Sequence, residues 1–336
     1  MHRAEAVSPS KKIVGIQAKI EFEIEESTAG DPCGGLKWLR RNSLRALQAK
    51  LASLGVLLSH VSIRRILKQA NGQYSLKANQ KSVSLTQHPQ RNQQFCYIRR
   101  VKKLFMDAGH PVLSVDTKKK ELIGSYKNAG QTWTKEAEAV KDHDFPEKTT
   151  IKAVPYGIYD VVHNQGFVYV GTSGDTAAFA VDSIVRWFER QDRPRFKDER
   201  KLLILCDGGG SNGSRVRNWK RQLQKELADR FGIEVMVCHY PPGSSKWNPI
   251  EHRLFSFISL NWAGKPVHSL SRMTALIRGT VTKTGLQVRA AVLKGNYPLK
   301  VKVSNSEMVG LALTRRKICP QWNYIIQARA SNSSKQ

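Results

Sequence analysis

Apolar residues recur with two different periods along the chain. In SLRALQAKLASLG (43–55), Leu44, Leu47, Leu51 and Leu54 follow one another at intervals of three and four. That spacing predicts a helix with Ser43 at its N-cap and Gly55 past its end. SHVSIRRILKQA (59–70) predicts a second short helix, with Val61, Ile63, Ile66 and Leu67 inward and Arg64, Arg65 and Lys68 outward. Two short helices about a tight turn form a helix-turn-helix pattern, whose second helix can enter a DNA major groove.

From His110 the period shortens to that of strands. A first strand, Val112 to Val115, runs onto Asp116, and a second is expected near Glu121 to Tyr126. AVPYGIYDVVHNQGFVYVGTS predicts a further strand and a turn back, and DTAAFAVDSIVRWFERQ (175–191) an amphipathic helix opened by Asp175 and Thr176. The buried run Leu202 to Cys206 then ends on Asp207 at the glycine-rich DGGGSNG. RVRNWKRQLQKELADRFG is a helix stopped by Gly232, IEVMVCHYP a last strand, and a Pro-Pro-Gly loop leads into a helix whose first turn carries Glu251. A meander followed by strand–helix alternation predicts a mixed α/β sheet with helices on both faces. The expected division is an N-terminal linker (1–35), a helix-turn-helix-like region (36–82), a basic linker or helix (83–109), an α/β core (110–262) and a basic C-terminal region (263–336).

Composition adds a partner. The chain has 336 residues, 40% of them apolar, with seven Trp, enough for a real core. Its 55 Lys and Arg against 27 Asp and Glu leave a net charge of +28, which attracts polyanions, nucleic acid foremost. The excess is uneven: 15 Lys and Arg and no acid lie between Asp31 and Asp107, and after Glu251 there are 14 bases and the single acid Glu307. No apolar run of about 18 residues exists to span a bilayer, and MHRAEAVSPSKK lacks a signal-peptide core. A soluble, cytoplasmic protein is expected. The five Cys are odd in number and never spaced as CxxC, so neither a zinc knuckle nor a disulfide framework is indicated.

Candidate chemistry sits where strands end on acids, because ligand sites in such sheets form beyond the carboxyl ends of the strands. Gly208, Gly210 and Gly213 match GxGxxG. Asp207 would repel a pyrophosphate there, three strands precede the motif, and the next strand ends in CHYPP with no acid for a ribose. A tight turn presenting Asp207 is the better reading. Asp116, Asp207 and Glu251 would then meet at one end of the sheet. Three crowded carboxylates call for hard cations, Mg²⁺ or Mn²⁺, and two such ions serve phosphodiester chemistry. Asp160 is the competing first acid and Asp175 reads as a helix start. Asn248 is a candidate N-cap for the Glu251 helix, with His239 and His252 as flanking support. Lys118, Lys119, Arg215, Lys246 and Arg253 join Arg64, Arg65 and Lys68 as candidate DNA contacts.

These residues carry a resemblance. D…D…E in this element order, with NPIE at the third acid, resembles the DDE transposases related to the mariner-like superfamily. LSVDTKKKELIGSYKNAG, CDGGGSNGSRVRNWK, CHYPPGSSKWNPIEHRLFSFISLNW, TKTGLQV, GDPCGGLKW and YSLKANQKS are similar to segments of the bacterial insertion-sequence transposases of the Rhodopirellula type, from about Thr28 to Ile326. Pro249 stands where Lys is expected, Leu39 where Thr is usual, and Gly72-Gln73 reads as a small insertion; the acids are untouched. The resemblance implies a ribonuclease-H-like core preceded by the helix-turn-helix region, with Asp116, Asp207 and Glu251 binding two Mg²⁺ or Mn²⁺ ions. It also implies cleavage at the ends of a mobile element, joining of the 3′-hydroxyl to target DNA, and a dimer or higher multimer on paired ends. A nuclease that cuts without joining, and a DNA-binding remnant or repressor with vestigial acids, are the competing functions.

Overall fold

The computed structural model describes residues 15–20, 28–30, 37–39, 43–69, 88–132, 136, 138–141, 151–190 and 200–330. It divides into two compact units, Met1–Ser84 and Leu85–Gln336.

In the first unit β1 (Thr28–Gly30) pairs antiparallel with β2 (Lys37–Leu39); residues 15–20 are helical, and two further helices are α1 (Leu44–Ser53) and α2 (His60–Gln69). Ser43 caps α1, its hydroxyl accepting from the Ala46 N–H at 3.1 Å, and Gly55 follows with φ at +75°. In that left-handed region glycine costs nothing sterically. Leu47, Leu51 and Ile63 pack with Ile20 in one small cluster. Val61, expected inside, is exposed: it lies two residues, about 200° of helical rotation, from Ile63 and so faces outward. Arg64 and Arg65 are exposed. The Lys68 side chain and residues 70–87 lie outside the described residues.

The second unit is a nine-stranded sheet. Its strands are β3 (Val112–Thr117), β4 (Glu121–Leu122), β5 (Lys152–Asp160), β6 (Gln165–Gly171), β7 (Lys201–Cys206), β8 (Glu234–His239), β9 (Gln287–Val292), β10 (Leu313–Arg315) and β11 (Asn323–Ile326). The order is β10-β11-β8-β7-β3-β5-β6-β9, with β4 on β5. β3, β7 and β8 run parallel, while β3-β5-β6 is an antiparallel meander. This central β6-β5-β3-β7-β8 arrangement is that of a ribonuclease-H-like sheet, as expected. The second strand, expected to reach Tyr126, is only Glu121–Leu122; Tyr126 instead bridges Lys141.

Strand alternation divides the core. Leu113 and Val115 of β3 and Leu202, Ile204 and Cys206 of β7 pack on one face with Phe179, Ile184 and Trp187 of α4 (Ala177–Glu189) and with Trp219, Leu223 and Leu227. The last three belong to α5, α-helical over Arg217–Gln222 and π-helical over Leu223–Asp229. On the opposite face α3 (Arg91–Asp107) lays Ile98 and Val101 on Val112, Leu203 and Leu205. That face also takes α6, π-helical over Glu251–Phe255 and α-helical over Ser256–Asn261, and α7 (Leu270–Arg278). Each apolar side chain fully buried in these layers contributes roughly 1.5–3 kcal/mol against exposure.

Within 83–109, expected as a basic linker or helix, Arg91–Asp107 is the helix α3, packed on the sheet. The region after residue 262 is not separate: β9 pairs parallel with β6, and β11 antiparallel with β8. Its short helix α8 (Asn305–Val309) opens with a capping box of Ser304 and Glu307. Among the described residues no helix is long and apolar enough to cross a membrane.

Candidate active site

Val115 of β3 is in register with Cys206 of the adjacent parallel β7. The next residue of each chain is Asp116 and Asp207, so the two acids stand side by side at the carboxyl end of neighbouring strands, about 5 Å apart in backbone. Alternation turns Ser114 and Asp116 away from the Leu113–Val115 face and toward the side where α6 begins. Glu251 is the first residue of the π-helical turn there.

Asp116 feels the charges of Asp207 and Glu251, and Asp207 that of Glu251. Burial first, then the Asp207 charge, with smaller effects from Glu251 and Asp175, pushes the Asp116 carboxyl up to about 8; the Thr117 N–H, donating to its Oδ1 at 2.8 Å, acts in the opposite direction. Burial raises Asp207 to about 6, with Glu251 adding to the rise and a hydrogen bond from Asn248 opposing it. Among the described residues no group of three His, Cys, Asp or Glu side chains is arranged so that it could hold a metal ion. The donor chemistry, carboxylate oxygens from three elements, suits a hard divalent cation, and burial raises the two aspartates.

Asn248 is what joins these parts. Expected as a capping side chain, it turns inward instead. Its Nδ2 donates to Asp207 Oδ1 at 3.2 Å and toward the Val115 carbonyl at 3.4 Å, and its Oδ1 accepts from the Ser114 hydroxyl at 2.5 Å. The cap comes from across the fold, with Ser114 Oγ accepting from the Ile250 N–H at 3.0 Å. One serine of β3 thus holds both the amide that touches Asp207 and the start of the helix that carries Glu251. A polar residue inside an apolar strand, LSVD, was the signal in the sequence.

The glycine-rich segment is a tight turn. Gly210 has φ at +74°, and a Cβ at Gly213 would stand 3.2 Å from the backbone of Gly208, Gly209 and Gly210. The turn folds onto itself, and Asn212 ties it to β3 by donating to the Val115 carbonyl at 3.4 Å.

His239 differs from its expected place beside a ligand. It is fully buried behind the site, with Nδ1 at 3.0 Å from the Asp207 carbonyl and Nε2 at 3.0 Å from the Tyr324 hydroxyl, which also accepts from Trp219 Nε1 at 3.0 Å. Burial pulls its pKa down to about 4, so the neutral ring braces the Asp207 backbone rather than binding phosphate. Tyr324 and Gln94, whose Nε2 donates to the His239 carbonyl at 2.8 Å, were not foreseen because both come from distant elements.

The remaining candidates separate. Asp160 pairs opposite Leu113, at the far end of β3 from Asp116, and holds His163 at 2.8 Å in its own turn. Asp175 does not cap α4; Thr176 does, accepting from Phe179 N–H at 3.2 Å, while Asp175 accepts from the Thr117 hydroxyl at 3.0 Å. Lys118 is not a surface contact: it is buried, paired with Glu121 at 2.8 Å and set 4.5 Å over the Trp262 ring. Lys119, Arg215, His252 and Arg253 are exposed. The side chain of Lys246 lies outside the described residues. The thiols of Cys206 and Cys238 are free and buried, as expected of strand positions.

Residues 19–328 match the family model described as Rhodopirellula transposase DDE domain. Among solved structures the chain is similar to the Mos1 transposase paired-end complex with left transposon end, at 13% identity and a TM-score of 0.41 over 81% of this chain and 71% of that one. It is also similar to the Mos1 strand transfer complex, at 14% identity and a TM-score of 0.40 over 81% and 78%. The Mos1 mariner paired end complex with Mn matches at 14% identity and a TM-score of 0.39 over 80% and 78%. No curated protein matches. With the family model spanning all but the two ends, the chain belongs to the Rhodopirellula transposase DDE domain family.

Proposed function

We propose that the protein is a transposase that cleaves DNA at the ends of an insertion sequence and joins the freed 3′-hydroxyl to target DNA. The observation that carries this reading is geometric: Asp116 and Asp207 follow the register-paired Val115 and Cys206, and Ser114 of β3 binds the start of the helix that carries Glu251. Family membership supports it. The +28 net charge supplies the field that gathers DNA.

Asp116, Asp207 and Glu251 are the residues that would hold Mg²⁺ or Mn²⁺. Such an ion pair, when bound, supplies activation of the attacking water or hydroxyl and charge relief at the leaving oxygen. The chain's own residues orient the acids. Thr117 N–H and the Asn248 amide each occupy one carboxylate oxygen, of Asp116 and Asp207 respectively, and so set the rotation of each group. Ser114 keeps Asn248 from turning over, which would present its carbonyl to Asp207. DNA would be shared between two copies on paired ends.

The test is nicking of DNA carrying the element's own ends in Mg²⁺ or Mn²⁺, comparing wild type with Asp207→Asn and Glu251→Gln. Cleavage by the wild type, lost in both variants while DNA binding persists, is expected, with joined products in a strand-transfer assay. Binding without cutting by the wild type would reject the catalytic reading in favour of a DNA-binding remnant.

A further inference from the structure

The loop before Glu251 carries an exposed aromatic that the carboxylate chemistry does not use. Trp247 closes the short 3-10 turn Ser245–Trp247 and is 54% exposed. Its position is fixed on both sides. Its N–H donates to the Ser244 carbonyl at 2.8 Å, the next N–H, of Asn248, to Ser245 at 2.8 Å, and the Asn248 side chain is anchored on Asp207 and Ser114. The indole packs edge-on against Phe95 of α3, ring centroids 6.0 Å apart and planes at 71°. Phe95 in turn leans on the buried Tyr240, at 6.1 Å, and carries the Arg91 guanidinium 4.9 Å above its ring.

Positive charge continues from this shelf. Arg91, Phe95 and Lys102 are spaced by four and seven residues, one stripe of α3. Burial first, and then the charge of Arg253 on α6, lowers the pKa of Lys102. Cations on α3 and α6 suit a phosphate. An aromatic shelf flanked by cations is the arrangement that binds single-stranded nucleic acid, with bases stacked on the rings and the backbone tracked by the charges. A paired base inside a duplex offers no open face to such a ring, so the ligand is an unpaired one.

We propose that Trp247 is a stacking platform for an unpaired nucleobase of the DNA strand entering the Asp116–Asp207–Glu251 site, with Arg91, Lys102 and Arg253 along the strand's phosphates. The proposal rests on the DNA-cleaving reading for the identity of the ligand. A ring pinned between Asn248 and Phe95 loses little freedom on stacking, so it registers the strand beside the acids at small entropic cost.

The experiment uses the full chain without divalent cation and two probes. One is a blunt duplex; the other is the same duplex with a short overhang carrying 2-aminopurine at its first unpaired position. Wild type is expected to quench the 2-aminopurine and to prefer the overhang. Trp247→Ala should abolish the quench and weaken overhang binding by about tenfold, blunt-duplex affinity staying at the wild-type level. Trp247→Phe should restore most of both. An undiminished quench in Trp247→Ala, or equal weakening on both probes, would overturn the proposal, the latter marking Trp247 as a packing residue. A wild type that cleaves in Mg²⁺ but shows neither quench nor overhang preference sinks only this inference. A wild type that quenches normally but never cleaves sinks only the catalytic reading.

Discussion

Ser114 and Asn248 show how much of the site depends on single hydrogen bonds. Removing the Ser114 hydroxyl frees the Asn248 amide and uncaps Ile250 N–H in one step. Ser114→Ala should therefore cost about 1–3 kcal/mol in denaturant unfolding, the range for orphaning buried polar groups. Cleavage should fall further than that loss explains, because a displacement of about 1 Å at a catalytic group can cost about a hundredfold. Asn248→Asp keeps the shape but sets a fourth acid against Asp207, whose carboxyl is already raised to about 6. It should abolish cleavage where Asn248→Gln retains a trace; equal activity of the two, measured by nicking, would argue that the amide's neutrality is irrelevant. None of this was readable from NPIE alone. The motif places an Asn before a helix, where a cap is the ordinary role, and only the approach of β3 gives its amide something better to bind.

At the scale of elements, the sheet meets α6 through a glycine. Gly157 of β5 pairs opposite Asp116, and a Cβ there would run into the Phe255 ring and come within 2.9 Å of Ile250 Cδ1. The missing side chain is what lets the Glu251 helix lie against the strand beside Asp116. Gly157→Ala should cost roughly 1–3 kcal/mol by overpacking. It should also move Glu251 off the aspartates, so activity should drop more than thermal stability; a stable variant with full cleavage would show that α6 adapts. The strands themselves were legible. Val112–Val115 and Leu202–Cys206 announce themselves by apolar runs stopped by an acid, since both faces of a central strand are covered. β9 and β11 were not, because short strands at a sheet's margins carry little pattern of their own and are defined by the neighbours they pair with.

At the scale of the whole chain, the segment after α6 is stapled back by ion pairs on α5. Glu307 meets Arg221 at 2.8 Å and Arg329 meets Asp229 at 2.6 Å. Hydrogen bonds from the Ser304 backbone and from Arg221 hold Glu307 down at about 2, against an ordinary 4.5. A lowered folded-state pKa means stability that is complete above about 4.5 and lost as the pH falls through about 2. Amide exchange in 305–315 should therefore quicken in that acid window, and Glu307→Gln should remove this pH step; an unchanged step would assign it to other acids. The excess of charge has its own consequence. DNA affinity should fall linearly on a log–log plot against salt, and a flat plot would exclude phosphate contacts as its source.

Local features of the sequence determined the strand and helix periods, the acids that end β3 and β7, the turn at DGGGSNG and the basic surplus, because each depends on a residue and its near neighbours in the chain. Tertiary structure alone decided the rest. Lys118 left the surface because Glu121 and Trp262 close over it, His239 became a neutral brace because Tyr324 arrives from a strand 85 residues later, and Asn248 turned to Asp207 because Ser114 takes over its cap. In each case the competing partner is far away in sequence, and the free energy of burying a polar group against that partner outweighs its local preference.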